Sequence, residues 1–116
     1  MTKYEKGLSG EQLAEAYLIQ QGYLPIDRRF RALNGEIDLI MQDGDTLVFI
    51  EVKNRPKSSR GSGLLAVTPD KRRRMLHTAQ YYLLKRQQMN VPVRFDVVEI
   101  TQAGILHVPN AFDATI

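Results

Sequence analysis

The stretch from Gly35 to Lys53, GEIDLIMQDGDTLVFIEVK, limits the fold more than any other part of the chain. Two apolar runs, roughly Glu36–Met41 and Leu47–Lys53, are rich in Ile, Leu, Val and Phe, as β-strands usually are. Between them lies an Asp-Gly pair, which is a strong short-range signal for a tight turn. The stretch therefore predicts a β-hairpin.

The charged residues of this hairpin gather at one end. Because side chains alternate between the two faces of a strand, we expect Ile37, Leu39 and Met41 to share one face and Asp38 to lie on the other. An ordinary solvated hairpin would instead carry polar residues along its whole outer face. The clustering indicates a site at the end of the hairpin.

The predicted turn also sets the register of the hairpin. If Gly44-Asp45 forms the centre of the turn, Asp38 lies opposite Glu51, and Glu36 lies opposite Lys53. Directly opposed side chains have Cβ atoms about 5 Å apart. Two carboxylates at that separation repel each other unless a proton or a cation lies between them. A divalent cation such as Mg²⁺ or Mn²⁺, held by hard oxygen ligands, resolves the repulsion.

The net charge of +3 hides an uneven distribution. The segment from Asn54 to Phe95 contains ten Lys or Arg and one acid, Asp70, so it carries +9 while the rest of the chain carries −6. A basic surface beside an acidic site is typical of proteins that bind a polyanion, and we expect a nucleic acid. For any single cation, plain solvation of a helix face is the alternative.

A first helix is predicted from about Gly10 to Gln21, since Ser9-x-x-Gln12 is a capping-box pattern and Gly22 suits a helix end. We expect Glu15 to point toward solvent. Glu11 borders the apolar stripe, and its position alone leaves open a role in a site or a favourable interaction with the helix dipole. The expected apolar stripe is Leu13, Ala14, Tyr17 and Leu18.

The stretch from Tyr23 to Arg31 predicts an edge strand, because Pro25 suits an edge or a strand entry. Its cations, Arg28, Arg29 and Arg31, are candidates for phosphate contacts, although charges also protect an exposed edge from pairing. After this strand we expect the chain to turn at Asn34-Gly35.

The stretch from Asn54 to Ala66, NRPKSSRGSGLLA, predicts a loop that borders the end of the hairpin. It carries three cations that could contact a nucleic acid: Arg55, Lys57 and Arg60. A mobile basic flap that orders on nucleic acid and a plain flexible linker are both consistent with this composition.

A second helix is predicted from Thr68 as N-cap and Pro69 at the first position to about Gln88. Its first turns carry Lys71, Arg72, Arg73 and Arg74. Because cations at a helix N-terminus oppose the helix dipole, their placement favours a role in binding nucleic acid. We expect a buried stripe formed by Met75, Leu76, Ala79, Tyr82 and Leu83.

Two further strands are expected at Arg94–Ile100 and Ile105–Val108, with no role for residues 109–116. A strand–helix–strand order implies parallel pairing through a right-handed crossover. His77 and His107 have no spaced partner, so we expect them to be structural or exposed. The prediction is a single α/β domain, residues 1–116, with a mixed central sheet flanked by helices in the order α-β-β-β-α-β-β.

Asp38, followed on the next strand by Glu51-Val52-Lys53, resembles the PD-(D/E)XK signature of restriction-endonuclease-like nucleases. The longer wording, GEIDLI followed by LVFIEVKNR, is similar to the YraN-like family of small bacterial predicted endonucleases and to the archaeal Holliday-junction resolvases. The likeness extends from Gly10-Glu11 to residues 94–97. One departure is Ile37, where the signature has proline.

The resemblance implies a metal-dependent endonuclease that hydrolyses phosphodiester bonds in DNA, including branched or junction DNA. It implies that Glu11, Asp38, Glu51 and the Val52 carbonyl hold Mg²⁺ or Mn²⁺. Lys53 would orient the attacking water, and the three carboxylates together with Lys53 would form the catalytic set.

A non-catalytic nucleic-acid-binding protein on the same fold is the main alternative, and a structural protein is the third. The residues do not discriminate DNA from RNA, and a junction substrate would favour a symmetric homodimer. With no cysteine, no apolar N-terminal segment and no stretch long enough to span a bilayer, we expect a cytoplasmic protein without a membrane partner.

Overall fold

The computed structural model describes residues 9–61, 63 and 66–113. Its elements follow the order α-β-β-β-α-β-β, which confirms the predicted fold class. They are α1 (Gly10–Gln20), β1 (Leu24–Ala32), β2 (Gly35–Asp43), β3 (Thr46–Asn54), α2 (Pro69–Lys85), β4 (Val93–Thr101) and β5 (Gly104–Phe112).

The five strands form one mixed sheet in the order β1-β2-β3-β4-β5. The pair β3–β4 is parallel, and the other three pairs are antiparallel. The parallel pair confirms the pairing expected from the strand–helix–strand order. Strand β1 lies at an edge of the sheet, as predicted.

The two helices cover opposite faces of the sheet. On one face, α2 packs Met75, Ala79 and Tyr82 against strand residues such as Phe49 and Phe95. On the other, α1 packs Ala14 and Leu18 against a second buried cluster. The strand residues of that second cluster are Leu39, Met41, Val48, Ile50, Val98 and Ile100.

Both helix starts are capped as the sequence predicts. The side chains of Ser9 and Gln12 form a reciprocal capping box at α1. The Thr68 hydroxyl accepts a hydrogen bond from the backbone N–H of Lys71 at 3.2 Å, and Pro69 occupies the first position of α2. These caps satisfy backbone donors that would otherwise have no partner.

The hairpin of β2 and β3 has the predicted register, with Asp43 paired to Thr46 and Leu39 paired to Ile50. Counting away from the turn, the last regular pair is Leu39 with Ile50, so Asp38 and Glu51 would have formed the next one. Instead of continuing the ladder, the Asp38 carboxylate accepts a hydrogen bond from the Val52 N–H at 2.7 Å. Asp38 and Glu51 therefore lie opposite each other on the two strands, although their backbones do not form a regular pair.

The predicted face of Ile37 is wrong. Ile37 packs with Ile40 on the α2 side, whereas Leu39 lies on the α1 side. Strict alternation breaks at Asp38, opposite Arg29, whose φ of 51° departs from an extended strand. This break was invisible in the apolar pattern, because the residues on both sides of it are buried.

The turn between β1 and β2 is centred on Leu33 and Asn34, one residue earlier than predicted. Both residues have positive φ angles, of 54° and 64°, as two-residue hairpin turns require. Gly35 follows in the strand, where a Cβ would collide with the Thr78 hydroxyl of α2. The glycine is therefore used for close packing of the hairpin against α2 rather than for the turn.

Strand β5 is longer than predicted and includes Pro109, which the sequence analysis placed in a tail without a role. An edge strand tolerates proline because its outward N–H needs no partner. The strand then ends in the core, where the Phe112 ring stacks on Phe95 at 5.0 Å between centroids. Residues 114–116 lie outside the described residues.

A buried ionic network joins β2, β4 and β5 near the turn of the central hairpin, at the opposite end from Asp38 and Glu51. Asp96 is fully buried and contacts His107 Nε2 at 2.7 Å and Arg94 Nε at 3.1 Å. Arg94 also bonds Asp43 at 3.0 Å. Burial alone would raise the pKa of Asp96, but hydrogen bonds from His107 and Arg94 outweigh it and lower that pKa. His107 thus has a structural partner on the adjacent strand, eleven residues earlier in the sequence.

Candidate active site

Asp38 and Glu51 face a common cleft of about 560 Å³ between the β1–β2 turn and the first turns of α2. Strand alternation puts Glu51 on the α2 side, together with Leu47 and Phe49. The other residues that line the cleft are Arg31, Ala32, Leu33, Asn34, Gly35, Glu36, Lys71, Arg74 and Met75.

The surroundings of the Asp38 carboxyl group disfavour its charged form. Burial and the charge of Glu51 raise the pKa of Asp38 to about 7, although the hydrogen bond from Val52 N–H acts in the opposite direction. The charge of Glu11 adds a smaller rise. Such a shift marks a site where a cation or a proton is favoured.

Two lysines flank the Glu51 carboxylate, whose side chain is only 5 % exposed. Lys53 Nζ lies 3.4 Å from Glu51 Oε1, and Lys71 Nζ contacts the same oxygen. Burial and the hydrogen bond with Lys71 lower the pKa of Lys53. Burial also acts to lower the pKa of Lys71, but the hydrogen bond to Glu51 outweighs it and raises that pKa.

Sequence analysis assigned Lys71 to nucleic-acid binding and missed its place beside the carboxylates. Lys71 and Met75 are four residues apart on one helix face, and both line the cleft. The buried stripe of α2 continues back from Met75 to Lys71, and that periodicity was the signal available in the sequence.

Glu11 lies on the α1 side, where its carboxylate accepts a hydrogen bond from Arg29 Nε at 3.1 Å. It lines a second cleft, with Glu15 and Arg28. Gly10 allows this helix start to approach β3, because a Cβ there would lie 2.7 Å from Asn54 Cβ. The structure thus brings Glu11 near enough to influence Asp38 but does not place it in the same cleft.

Glu36 pairs with Arg31 at 3.2 Å rather than with Lys53. The predicted pairing of Glu36 with Lys53 is therefore wrong, because regular pairing of β2 with β3 stops at Leu39 and Ile50. The partner of Lys53 is Glu51, two residues earlier on its own strand.

Each of the three arginines of β1 has an acidic partner. Arg28 bonds Glu15 through Nε at 2.6 Å, Arg29 pairs with Glu11, and Arg31 pairs with Glu36. Glu15 is consequently buried, contrary to the expectation that it points toward solvent. A phosphate contact by any of these arginines would compete with its present ion pair.

The basic segment divides into engaged and exposed cations. Arg72 Nε donates to the Val67 carbonyl at 3.0 Å, and its guanidinium lies over the Phe112 ring. Arg73 and Arg74 are exposed and pair only loosely with Asp70, at 3.6 Å and 3.4 Å. In the loop after β3, Arg55 Nε bonds Ser58 Oγ, while Lys57 and Arg60 are exposed.

Glu99 is a buried residue beside the cleft that sequence analysis did not single out. It pairs in register with Lys53, and its carboxylate accepts hydrogen bonds from Gly61 N–H at 2.7 Å and Gly63 N–H at 3.0 Å. A Cβ on Gly63 would lie 2.9 Å from Lys53 Cβ. These contacts tether the described part of the loop to the sheet, whereas residues 62, 64 and 65 lie outside the described residues.

The two carboxylates suit a hard divalent cation. Mg²⁺ commonly binds one or two carboxylates and keeps several waters. Over the described ranges, no three His, Asp or Glu side chains gather into a metal-binding group. Of the described carboxylates that line the cleft, Glu36 is paired with Arg31, so the candidate metal ligands are Asp38 and Glu51. The ammonium of Lys71 already lies where a positive charge is favoured.

Neither described helix is both long and apolar enough to span a membrane. The mixed α/β fold and the paired carboxylates of its cleft place the chain among small α/β proteins whose candidate site lies at the open end of a central β-hairpin.

The sequence profile described as "Uncharacterised protein family UPF0102" matches residues 10–100. A UPF0102 protein of Geobacter metallireducens is 43 % identical over 111 residues, covering 92 % of this chain and 91 % of the relative. One from Persephonella marina is 40 % identical over 113 residues, covering 97 % of each chain. The chain belongs to the UPF0102 family, which confirms the resemblance to the YraN-like family.

Proposed function

We propose that this protein is a Mg²⁺-dependent phosphodiesterase that cleaves DNA. The observation that carries the proposal is the pair formed by Asp38 and Glu51, which face one cleft with two lysine ammonium groups beside them. A carboxyl group such as Asp38, whose pKa is strongly raised beside a second carboxylate, is characteristic of functional sites.

Asp38 and Glu51 would hold the metal, with the Val52 carbonyl as a further ligand. A bound Mg²⁺ would lower the pKa of a coordinated water and offset negative charge on the phosphate oxygens. Lys53, whose ammonium lies 3.4 Å from Glu51, can orient that water and stabilise developing negative charge. Burial and the hydrogen bond with Lys71 lower the pKa of Lys53, so its ammonium loses a proton more readily than a free lysine does.

The cations around the cleft suit a nucleic-acid backbone. Arg31, Lys71 and Arg74 line the cleft itself, and the exposed Lys57 and Arg60 lie in the loop that follows Lys53. A phosphodiester that entered the cleft would lie close to Arg31, Lys71 and Arg74. We therefore propose DNA as the substrate, with branched or junction DNA as the first forms to examine.

One observation favours a non-catalytic nucleic-acid-binding protein as the second candidate. Glu11 is engaged with Arg29 on the other side of the sheet and does not line the cleft, and Glu36, which does line it, is paired with Arg31. A binding protein would retain the cations and need no metal. Cleavage separates the two candidates.

The test is a cleavage screen over linear, flap and four-way-junction DNA, each with Mg²⁺ and Mn²⁺. We expect wild type to cut at least one substrate and Glu51→Gln to lose at least about a hundredfold in rate. Asp45→Asn removes the same charge from the exposed turn of the same hairpin and is the matched control. DNA binding without cleavage of any substrate would favour the binding protein.

A further inference from the structure

Lys71 makes a contact with the candidate site that phosphate binding alone does not explain. Its ammonium contacts Glu51 Oε1, the oxygen that the ammonium of Lys53, two residues further along β3, also approaches. The N-cap at Thr68 fixes the first turn of α2 and thereby directs the Lys71 stem toward the sheet. The side chain of Lys71 is 31 % exposed, against 5 % for Glu51.

The contact uses the oxygen that a metal would need. An ammonium hydrogen bond and a divalent cation compete for the same lone pairs of a carboxylate. Lys53 lies on the same strand as Glu51 and its side chain is 19 % exposed, whereas Lys71 reaches the carboxylate from α2 and its side chain is 31 % exposed. Of the two lysines, Lys71 is therefore the one able to leave.

We propose that Lys71 is an internal counter-ion of the Asp38–Glu51 pair, which a divalent cation displaces on binding. This inference rests on the proposed function, because it assumes that the pair holds a metal. The displaced ammonium remains within the cleft near Arg74, where it can contact a phosphate oxygen of the DNA. Metal occupancy and DNA engagement would then be linked through one side chain.

The displacement has a distinctive consequence for metal affinity. Removing a cation from a binding surface ordinarily does little to a specific metal site, but removing a direct competitor strengthens binding. We expect Lys71→Met to bind Mn²⁺ about three- to tenfold more tightly than wild type, which corresponds to the loss of one partly buried ion pair. The same variant should cleave DNA more slowly, because methionine offers the phosphate no positive charge.

The experiment is calorimetric titration of Mn²⁺ into wild type, Lys71→Met and Lys85→Met. Lys85 lies on the same helix, is exposed, and undergoes the identical change in charge and shape. Its affinity should stay within about twofold of wild type. Circular dichroism establishes that each variant is folded, and Lys71→Gln replaces Lys71→Met if the latter unfolds.

The outcomes separate the two proposals. Equal or weaker Mn²⁺ binding by Lys71→Met, with wild-type binding intact, overturns the counter-ion and leaves the phosphodiesterase standing. An equal gain in Lys85→Met would mean that net charge alone is responsible, and would also overturn it. If neither wild type nor Lys71→Met binds Mn²⁺, both the counter-ion and the metal-dependent function are wrong.

Discussion

Asp38 is held by forces that oppose one another. Its hydrogen bond from Val52 N–H favours the charged carboxylate, while burial and the neighbouring Glu51 disfavour it, and the net result is a pKa of about 7. A side chain with this balance gains a proton or a cation readily. The stability of the metal-free protein should therefore depend on the charge state of this one residue.

The stability difference between wild type and Asp38→Asn should grow as the pH rises from about 4 to above 7. The folded pKa of Asp38, about 7, exceeds its ordinary value of 3.8, so its contribution is fully present at low pH and is lost as pH rises through 7. Asparagine keeps an oxygen for the Val52 N–H and does not ionise.

At pH 8 without metal, we expect Asp38→Asn to be more stable than wild type by on the order of 2 kcal/mol, and at pH 4 the two should agree. Urea denaturation at both pH values measures this difference. A constant difference at the two pH values would mean that Asp38 ionises normally in the folded protein.

At the scale of elements, the Asp96 network ties β4 to β2 and β5. The Asp96 carboxylate contacts Arg94 on its own strand, His107 and the Asn110 N–H on β5, and the Tyr23 hydroxyl from before β1. Their hydrogen bonds lower the pKa of Asp96 in spite of its complete burial. The network is therefore expected to be a stability element of the sheet rather than part of the site.

Asp96→Asn should destabilise the protein by about 3 kcal/mol at pH 7, because it leaves Arg94 without its buried partner. Since the pKa of Asp96 is lowered in the folded state, its contribution is present above about pH 4 and is lost as pH falls further. Urea denaturation with Asp45→Asn as an exposed control measures the loss. A cost below about 0.5 kcal/mol would contradict this role.

The helices, the strands and the hairpin register could be predicted from the sequence because local signals determine them. The Asp-Gly turn fixed the pairing of β2 with β3, and Thr68 marked the start of α2. Tertiary packing set what the sequence did not reveal. Because alternation breaks at Asp38, opposite Arg29, Ile37 lies on the other face of the sheet. Because Phe112 packs in the core, β5 continues beyond Pro109.

The candidate site was only partly predictable for the same reason. Asp38, Glu51 and Lys53 lie on one hairpin, so strand alternation and register were enough to bring them together. Lys71 reaches Glu51 through the docking of α2, and Glu11 is drawn to Arg29 across the α1 face. The periodicity of α2 indicated that Lys71 faces the sheet, but the partner of each of these side chains is decided by contacts between elements distant in sequence.

At the scale of the whole molecule, the basic segment of +9 proves to be divided between structure and surface. Arg72 supports the fold through Val67 and Phe112, while Arg73 and Arg74 are exposed and Arg74 lines the cleft. The three adjacent arginines should therefore respond differently to substitution.

Replacing Arg73 and Arg74 with Ala should weaken DNA binding and flatten the dependence of log affinity on log salt, by roughly one unit for each arginine that binds a phosphate in the wild type. Replacing Arg72 with Ala should instead cost about 1 kcal/mol of stability and leave the salt slope unchanged. Fluorescence anisotropy at several salt concentrations, together with urea denaturation, distinguishes these effects. The division fails if the Arg73, Arg74 double variant retains the wild-type slope.

The claim on which the account depends is that Asp38 and Glu51 form a divalent-cation site. Electron paramagnetic resonance of free Mn²⁺ at pH 8 measures binding directly, without substrate or turnover. We predict saturable binding by wild type and by Asp45→Asn, and affinity at least about tenfold weaker in Asp38→Asn and Glu51→Gln, since each loses a charged ligand. Wild-type affinity in both Asp38→Asn and Glu51→Gln would contradict the claim.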